Sequence, residues 1–256
     1  MTKLRWVIFG LSLLAFVSGS AWAEGDVEFE ITTDYFGKYI WRGQDLSDDP
    51  VVQPGASASF AGLTASWWAN IDTTSINGKS GKFTEHDWTL DYSGDVPGLD
   101  GLGYSVGVIY YVFPSATPED TTEVYWGLGL DLPLRPSVTV YHDVDEVKGT
   151  YASLGLSHSI EEFVVVFDEI PVGLELGASL GWGNGTYNKY YWGATANDQR
   201  FNDLAFSISF PFEVYGFTLA PSLNYVTLVD ERIAKTNTYN KDDAYFVAGI
   251  SIAKSF

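Results

Sequence analysis

Any chemistry in this chain must come from three histidines, a large set of carboxylates and scattered hydroxyls, because cysteine is absent. That composition excludes thiol catalysis and a disulfide scaffold. Hydroxyl-based catalysis needs a nucleophile beside an oriented base. Of His86, His142 and His158, only the last has serines next to it, in Ser157-His158-Ser159. Adjacent strand residues point to opposite faces, so neither serine meets that imidazole, and the expectation is no enzyme and no catalytic residue. Asp143-Val-Asp145-Glu146-Val147-Lys148 starts like a calcium loop but departs from the EF-hand pattern at its fifth and sixth places. This group, with Asp45-Leu-Ser-Asp48-Asp49, Glu119-Asp120 and Asp242-Asp243, could bridge divalent cations to lipopolysaccharide phosphates. Solvated loops explain the same acids more simply, and no cofactor or metal is expected.

What remains is the handling of ions and solutes. The chain has 33 acidic and 14 basic residues, a formal net charge of −19, which excludes nucleic acid as a partner because phosphate binding needs a basic surface. Lys3 and Arg5 precede an apolar run from Trp6 to Val17, and Ala21-Trp22-Ala23 supplies a small-x-small cleavage site. A signal peptide is therefore predicted over residues 1–23, since the run is too short to cross a bilayer as a helix. The mature domain, residues 24–256, loses Lys3 and Arg5 and keeps 12 basic against 33 acidic residues, a net charge of −21.

The elements that carry these charges read as strands. In Val27 to Tyr35, Val27, Phe29, Ile31 and Tyr35 oppose Glu28, Glu30, Thr32 and Asp34, a period of two. The same dyad places Leu63, Ala65, Trp67, Ala69 and Ile71 opposite Thr64, Ser66, Trp68, Asn70 and Asp72, and Val124, Trp126, Leu128 and Leu130 opposite Glu123, Tyr125, Gly127, Gly129 and Asp131. The chain ends on such a strand, with Phe246, Ala248, Ile250, Ile252 and Phe256 on one face. Segments of about ten residues suit a tilted transmembrane strand, and counting them gives an all-β, antiparallel up-and-down barrel of about twelve strands.

Alternation alone does not say which face is inside. The export signal, the aromatic carboxyl terminus and rings near strand ends (Tyr39, Trp41, Phe60, Tyr92, Tyr104, Trp126, Trp182, Phe210, Phe217, Tyr225) favour lipid on the apolar side. The expected place is the bacterial outer membrane, with its lipid and lipopolysaccharide and the barrel assembly machinery as partners. An even strand count puts both ends on the periplasmic side. The first strand then runs outward from Val27 to Gly43. Inner turns fall at 61–62, 93–103, 132–136, 161–171 and 211–216, and outer loops at 44–50, 72–81, 114–121, 144–149, 183–202 and 230–242. Within 161–171, Phe163 to Phe167 could be a strand extension or an inner lip. In 183–202, Tyr187, Tyr190, Tyr191 and Trp192 read first as an outward extension of the aromatic girdle, with a sugar platform or a constriction folded into the mouth as alternatives.

The remaining faces enclose the lumen. They are rich in small residues, including Gly55, Ser57, Gly107, Gly127, Ser153, Gly177, Gly181 and Ser207, which leave room for a narrow water-filled pore. The pore-lining charges are Glu28, Glu30, Asp34, Lys38, Arg42, Glu85, Asp87, Asp91, Glu123 and Asp131. Acids outnumber bases, which favours cations. Lys38 and Arg42 could instead pair with these acids across the wall and only balance buried charge. The expected function is passive diffusion of small hydrophilic solutes or ions, with a non-conducting barrel that binds ligands through its loops as the competitor.

The block Tyr39-Ile-Trp-Arg42-Gly43, the Gln53-Pro54 pair and the strand ending Asn70-Ile-Asp72 resemble the TorF-like porins of proteobacterial outer membranes. Glu85 and Asp87, Tyr110-Tyr111 with Pro114, and Glu123 with Tyr125 continue the likeness over roughly the first half of the chain. The resemblance implies an outer-membrane barrel. Trp68-Ala69 before Asn70 and the region 183–202 depart from it, so it implies no particular cargo.

Overall fold

The computed structural model describes residues 26–78, 80–114, 119–167, 169–236 and 242–256. The expected signal peptide, 1–23, lies outside them. Strand β1 (Glu28–Phe36) leads into a short hairpin of β2 (Tyr39–Trp41) and β3 (Gln44–Ser47). Then come β4 (Val51–Phe60), β5 (Leu63–Asp72), β6 (Lys82–Asp95), β7 (Leu102–Val112), β8 (Thr121–Leu130), β9 (Ser137–Asp143), β10 (Thr150–Val166) and β11 (Ile170–Gly183). Helix α1 (Gly185–Trp192) precedes β12 (Arg200–Ser209), and β13 (Phe212–Val214), β14 (Phe217–Leu228), α2 (Glu231–Ala234) and β15 (Ala244–Ser255) complete the order. Among the described residues no helix is long and apolar enough to cross a membrane.

All strands but β2 and β3 form one antiparallel sheet, which the β10–β11 pairing closes. Because β13 continues the lane of β12 between β11 and β14, the result is a closed barrel of twelve staves. The terminal phenylalanine belongs to the seam between β1 and β15: Phe256 N–H donates to Phe29 O at 2.9 Å, and Glu30 to Phe36 pair in register with Ser255 to Gly249. The start of β1 and the carboxyl terminus therefore lie at one mouth, here the terminal mouth. Tight turns at that mouth follow from local chemistry: Ala61-Gly62 (φ 49° and 86°) and Tyr215-Gly216 (φ 51° and 72°) have the two positive φ angles of a hairpin turn whose twist matches its strands. Residues 163–166 extend β10 rather than form a lip, with a register shift between Ile160 and Val164.

The barrel is inverted relative to a water-soluble protein. Phe29, Ile31, Trp88, Leu90, Val106, Trp126, Leu154, Leu156, Phe206 and Phe246 all point outward and are exposed, Phe246 at 69 %. Their alternate neighbours, including Thr32, Asp34, Gln53, Asn70, Glu85, Glu123 and Asp203, are buried inside. An apolar outer belt around a polar interior suits an apolar surrounding medium, and closure of the sheet pairs the strand edges that such a medium could not hydrogen-bond.

Three expectations need correction. The first strand stops at Phe36 rather than Gly43, because Gly37 N–H bonds to Ala248 O at 2.9 Å and the chain then leaves the wall. Tyr39 and Trp41 consequently do not join an outer aromatic girdle; Trp41 packs against Tyr111 and Tyr191 inside the mouth. The segment 183–202 also turns inward, as the second alternative had it: Tyr187 and Trp192 are each only 1 % exposed. Asn184 caps α1 by accepting the Tyr187 N–H at 2.9 Å, and Asn188, fully buried, donates to Gly183 O and Asp198 O.

Candidate functional site

The hairpin β2–β3 lies across the mouth opposite the terminal mouth. Its tip, Arg42-Gly43, has φ angles of 49° and 81°, so a non-glycine residue takes the first left-handed position and the glycine takes the second. This geometry drives Arg42 into the far wall. Its guanidinium donates through two nitrogens to Glu123 of β8, at 2.8 Å (Nη1 to Oε1) and 2.7 Å (Nη2 to Oε2). Three rings enclose it, with Trp41 and Tyr141 at 4.4 Å and Tyr151 at 4.5 Å from the guanidinium carbon to the ring centre. Tyr111 donates to Glu123 Oε2 at 2.9 Å, and Tyr151 donates to Asp203 at 3.0 Å. A buried guanidinium is tolerable only with its charge paired and its surface covered, and both conditions are met.

Around this pair the interior is closely packed. Tyr125, Tyr141, Tyr151 and Tyr187 form a buried ladder, with successive ring centres 5.5, 6.3 and 5.3 Å apart. The inward glycines provide the space for it. A Cβ at Gly107 would collide with the Tyr125 ring, at Gly181 with Tyr151 and Asp203, at Gly183 with Asn188, and at Gly249 with Phe36. The small residues near this mouth therefore make room for aromatic side chains and not for water, contrary to the expectation of an open pore along the whole axis. A void of about 10 Å³ beside the hairpin, lined by Tyr39, Ile40, Gln53 and Asn224 among others, has room for about one water. Toward the terminal mouth the inward residues Glu30, Ser57, Ser66, Thr89, Asp91, Ser157, Ser179 and Ser207 are half-buried while Ser105, Glu175 and Ser209 are buried, so this half is more loosely filled and partly open to solvent.

The ten candidate pore residues separate accordingly. Glu30 and Asp34 of β1, Glu85, Asp87 and Asp91 of β6, and Glu123 of β8 all face inward, while Glu28 sits exposed at the terminal rim. Asp131 lies beyond the end of β8, in an exposed turn where its N–H bonds to Gly101 O at 2.7 Å, so it lines no lumen. Lys38 and Arg42 are on the inserted segment rather than the wall; Lys38 pairs with Asp48 of the same segment and Arg42 with Glu123. Arg42 and Glu123 are joined directly, and Glu85 and Asp87 of β6 face the same end of the lumen, with Tyr39 donating to Glu85 Oε2 at 3.0 Å. The Gln-Pro and Asn-x-Asp motifs have a structural use: Gln53 donates to Asn70 at 3.0 Å, and Asn70 donates to Asp72 at 3.0 Å and Thr84 at 2.7 Å, fixing the wall beside the hairpin. Sequence reasoning overlooked Tyr111, Tyr141, Tyr151 and Asp203. Their signal was their phase, since rings alternating in step with inward glycines fill a lumen.

His158 faces outward and its Nδ1 lies 2.7 Å from Pro133 O, whereas Ser157 and Ser159 face inward. Among the described residues no group of three or more histidines and carboxylates is arranged to hold a metal ion.

The hairpin tip gives a direct test of seating. Gly43 has a φ that disfavours a side chain, and a Cβ there would stand 2.8 Å from both Asp203 Cβ and Leu228 Cδ2. Gly43→Ala is expected to destabilise the seated hairpin by about 1–3 kcal/mol. Amide hydrogens of 39–47 should then exchange faster while the wall strands keep their protection; unchanged exchange in the hairpin would contradict this packing.

A twelve-stranded antiparallel barrel with an apolar exterior, a more open lumen at one end and an ion-paired hairpin across the other defines a protein of outer-membrane-barrel class. Residues 20–162 match a family described as bacterial proteins of unknown function (Gcw_chp), and the chain belongs to it. Among solved structures it is similar to LpxR from Salmonella typhimurium, at 9 % identity over 88 % of this chain and 99 % of that one, with a TM-score of 0.51. It is also similar to the NanC porin, at 10 % identity over 88 % and 97 % of the respective chains, with a TM-score of 0.48. No curated protein matches.

Proposed function

We propose that the protein is an outer-membrane channel for passive diffusion of small hydrophilic solutes, preferring cations, whose outer mouth is closed at rest by the hairpin 39–47. It is a conduit and not a catalyst, set in lipid and lipopolysaccharide by its apolar belt. The observation that carries this reading is the asymmetry of the lumen. A barrel meant only to be solid would be filled by wall side chains from end to end, whereas here the terminal half leaves Glu30, Ser57, Ser66, Thr89, Asp91, Ser157, Ser179 and Ser207 half-exposed and the other half is closed by a loop. The loop is attached at its tip by polar contacts, which water can replace. Inside the barrel stand Asp34, Glu85, Glu123 and Asp203, buried, and the half-buried Asp87, so an opened lumen would be acidic. The motif resemblance to TorF-like porins points the same way.

The test is current through planar bilayers. Purified protein under a salt gradient should give voltage-dependent steps with a cation-directed reversal potential, and the triple variant Glu30→Gln, Asp34→Asn, Asp87→Asn should lower cation preference by roughly tenfold at low salt. Unchanged preference would discard these acids as lumen charges. The packed ring ladder favours a second reading, a permanently sealed structural barrel; silence at every voltage, in wild type and in hairpin variants alike, would establish it.

A further inference from the structure

The place that holds Arg42 is built as a receptor for a guanidinium, and most of it belongs to the wall. Glu123 on β8 supplies two oxygens in the fork geometry that a planar cation needs, and Tyr111 on β7 orients that carboxylate through its hydroxyl. Tyr141 on β9 and Tyr151 on β10 bring their rings against the guanidinium, 4.4 and 4.5 Å from its carbon, with Tyr187 of α1 at 6.0 Å. Tyr151 is itself held by Asp203. Trp41 is the one enclosing ring that travels with the hairpin. If Arg42 withdraws, an aromatic, acidic cage remains in the lumen, matched in charge and hydrogen-bonding geometry to the group that has left it.

We propose that this cage is the recognition site for small solutes that carry a guanidinium group, and that such a solute opens the mouth by competing with Arg42 for Glu123. Transport by this route rests on the pore reading above; recognition does not. A ligand that binds only when the hairpin is displaced shifts the population toward that state by its differential affinity, so cargo and key are the same molecule. A compact ammonium fills the cage less well, since it cannot make the two parallel hydrogen bonds or present a planar surface to the tyrosines.

The probe is methylguanidine, and the first readout is calorimetric titration of detergent-solubilised Arg42→Ala. Saturable one-site binding is expected, at least tenfold tighter than in wild type, where Arg42 occupies the cage, and at least tenfold tighter than in Arg42→Ala/Glu123→Gln. Methylammonium at equal ionic strength should bind more weakly than methylguanidine. Equal binding of methylguanidine by the single and double variants, both showing intact β circular dichroism, would overturn the proposal. Should Arg42→Ala fail to yield a folded barrel, the wild type supplies the decision: millimolar methylguanidine should speed amide exchange of 39–47 where sodium chloride does not, and equal exchange in the two salts would overturn it. No current enters either measurement. Binding in a barrel that never conducts therefore keeps the cage and removes the pore, and conduction without binding removes the cage alone.

Discussion

Arg42→Ala is expected to raise the open probability of the reconstituted barrel by about a hundredfold or more. Removing one member of a buried ion pair typically costs about 3–5 kcal/mol, because the partner is left charged and uncompensated. Arg42 and Glu123 qualify, with side chains only 1 % and 3 % exposed. The variant leaves Glu123 with the Tyr111 hydrogen bond as its remaining side-chain contact from this pair, and water must enter to solvate it. That entry favours the displaced hairpin, and roughly 3 kcal/mol corresponds to about two powers of ten in population. Glu123→Gln should act in the same direction by stranding the guanidinium. Lys38→Ala is the control: its partner Asp48 lies on the same segment, both are partly exposed, and the pair does not bridge hairpin to wall. Single-channel recording at fixed salt and voltage checks all three. If Arg42→Ala and Lys38→Ala behave alike, the tip ion pair does not hold the mouth closed.

Much of this architecture was legible because strand periodicity is a local property. Ile31 and Thr32, or Trp126 and Gly127, declare opposite faces from their neighbours alone, and the closing seam was foreshadowed by Phe256. Turn residues such as Ala61-Gly62 likewise announce themselves. The destination of 37–50 was not legible. Its composition is that of a loop, and only the position of the opposite wall decides whether a loop spreads outward or crosses the mouth. Arg42 was assigned to the wall because the alternation of Glu28 to Asp34 can be extrapolated through it, yet the backbone leaves the sheet at Gly37. The glycines misled for a related reason. Gly107 and Gly181 do leave space, but the pairing of neighbouring strands sets Gly107 opposite Tyr125 and brings the Tyr151 hydroxyl diagonally over Gly181, and that register is not written in either strand alone. Tyr187 entered the mouth for the same cause: Gly149 and Gly183, far apart in sequence, are where its backbone and ring find room.

The second large effect tests the inversion on which the barrel depends. Leu156 and Ser157 are consecutive on β10 and face opposite ways, Leu156 outward beside Ala178 and Ser157 inward beside Gly177. Both have solvent-accessible surface, Leu156 at 44 %, so in a water-soluble protein Leu156→Arg would be a surface change worth within about 0.5 kcal/mol. In lipid the same substitution costs about 2–4 kcal/mol near the bilayer midplane, and should reduce folded protein in the outer membrane severalfold. Ser157→Arg places its charge in the more open half of the lumen, whose inward carboxylates include Glu30, Asp91 and Glu175. It should assemble nearly as well as the parent and reduce cation preference instead. The two variants thus separate by face within a single dipeptide. Envelope fractionation with urea-unfolding midpoints in lipid vesicles reads the difference: equal tolerance at 156 and 157 would mean that the exposed leucines face water, and neither the channel nor its gate would have a membrane to work in.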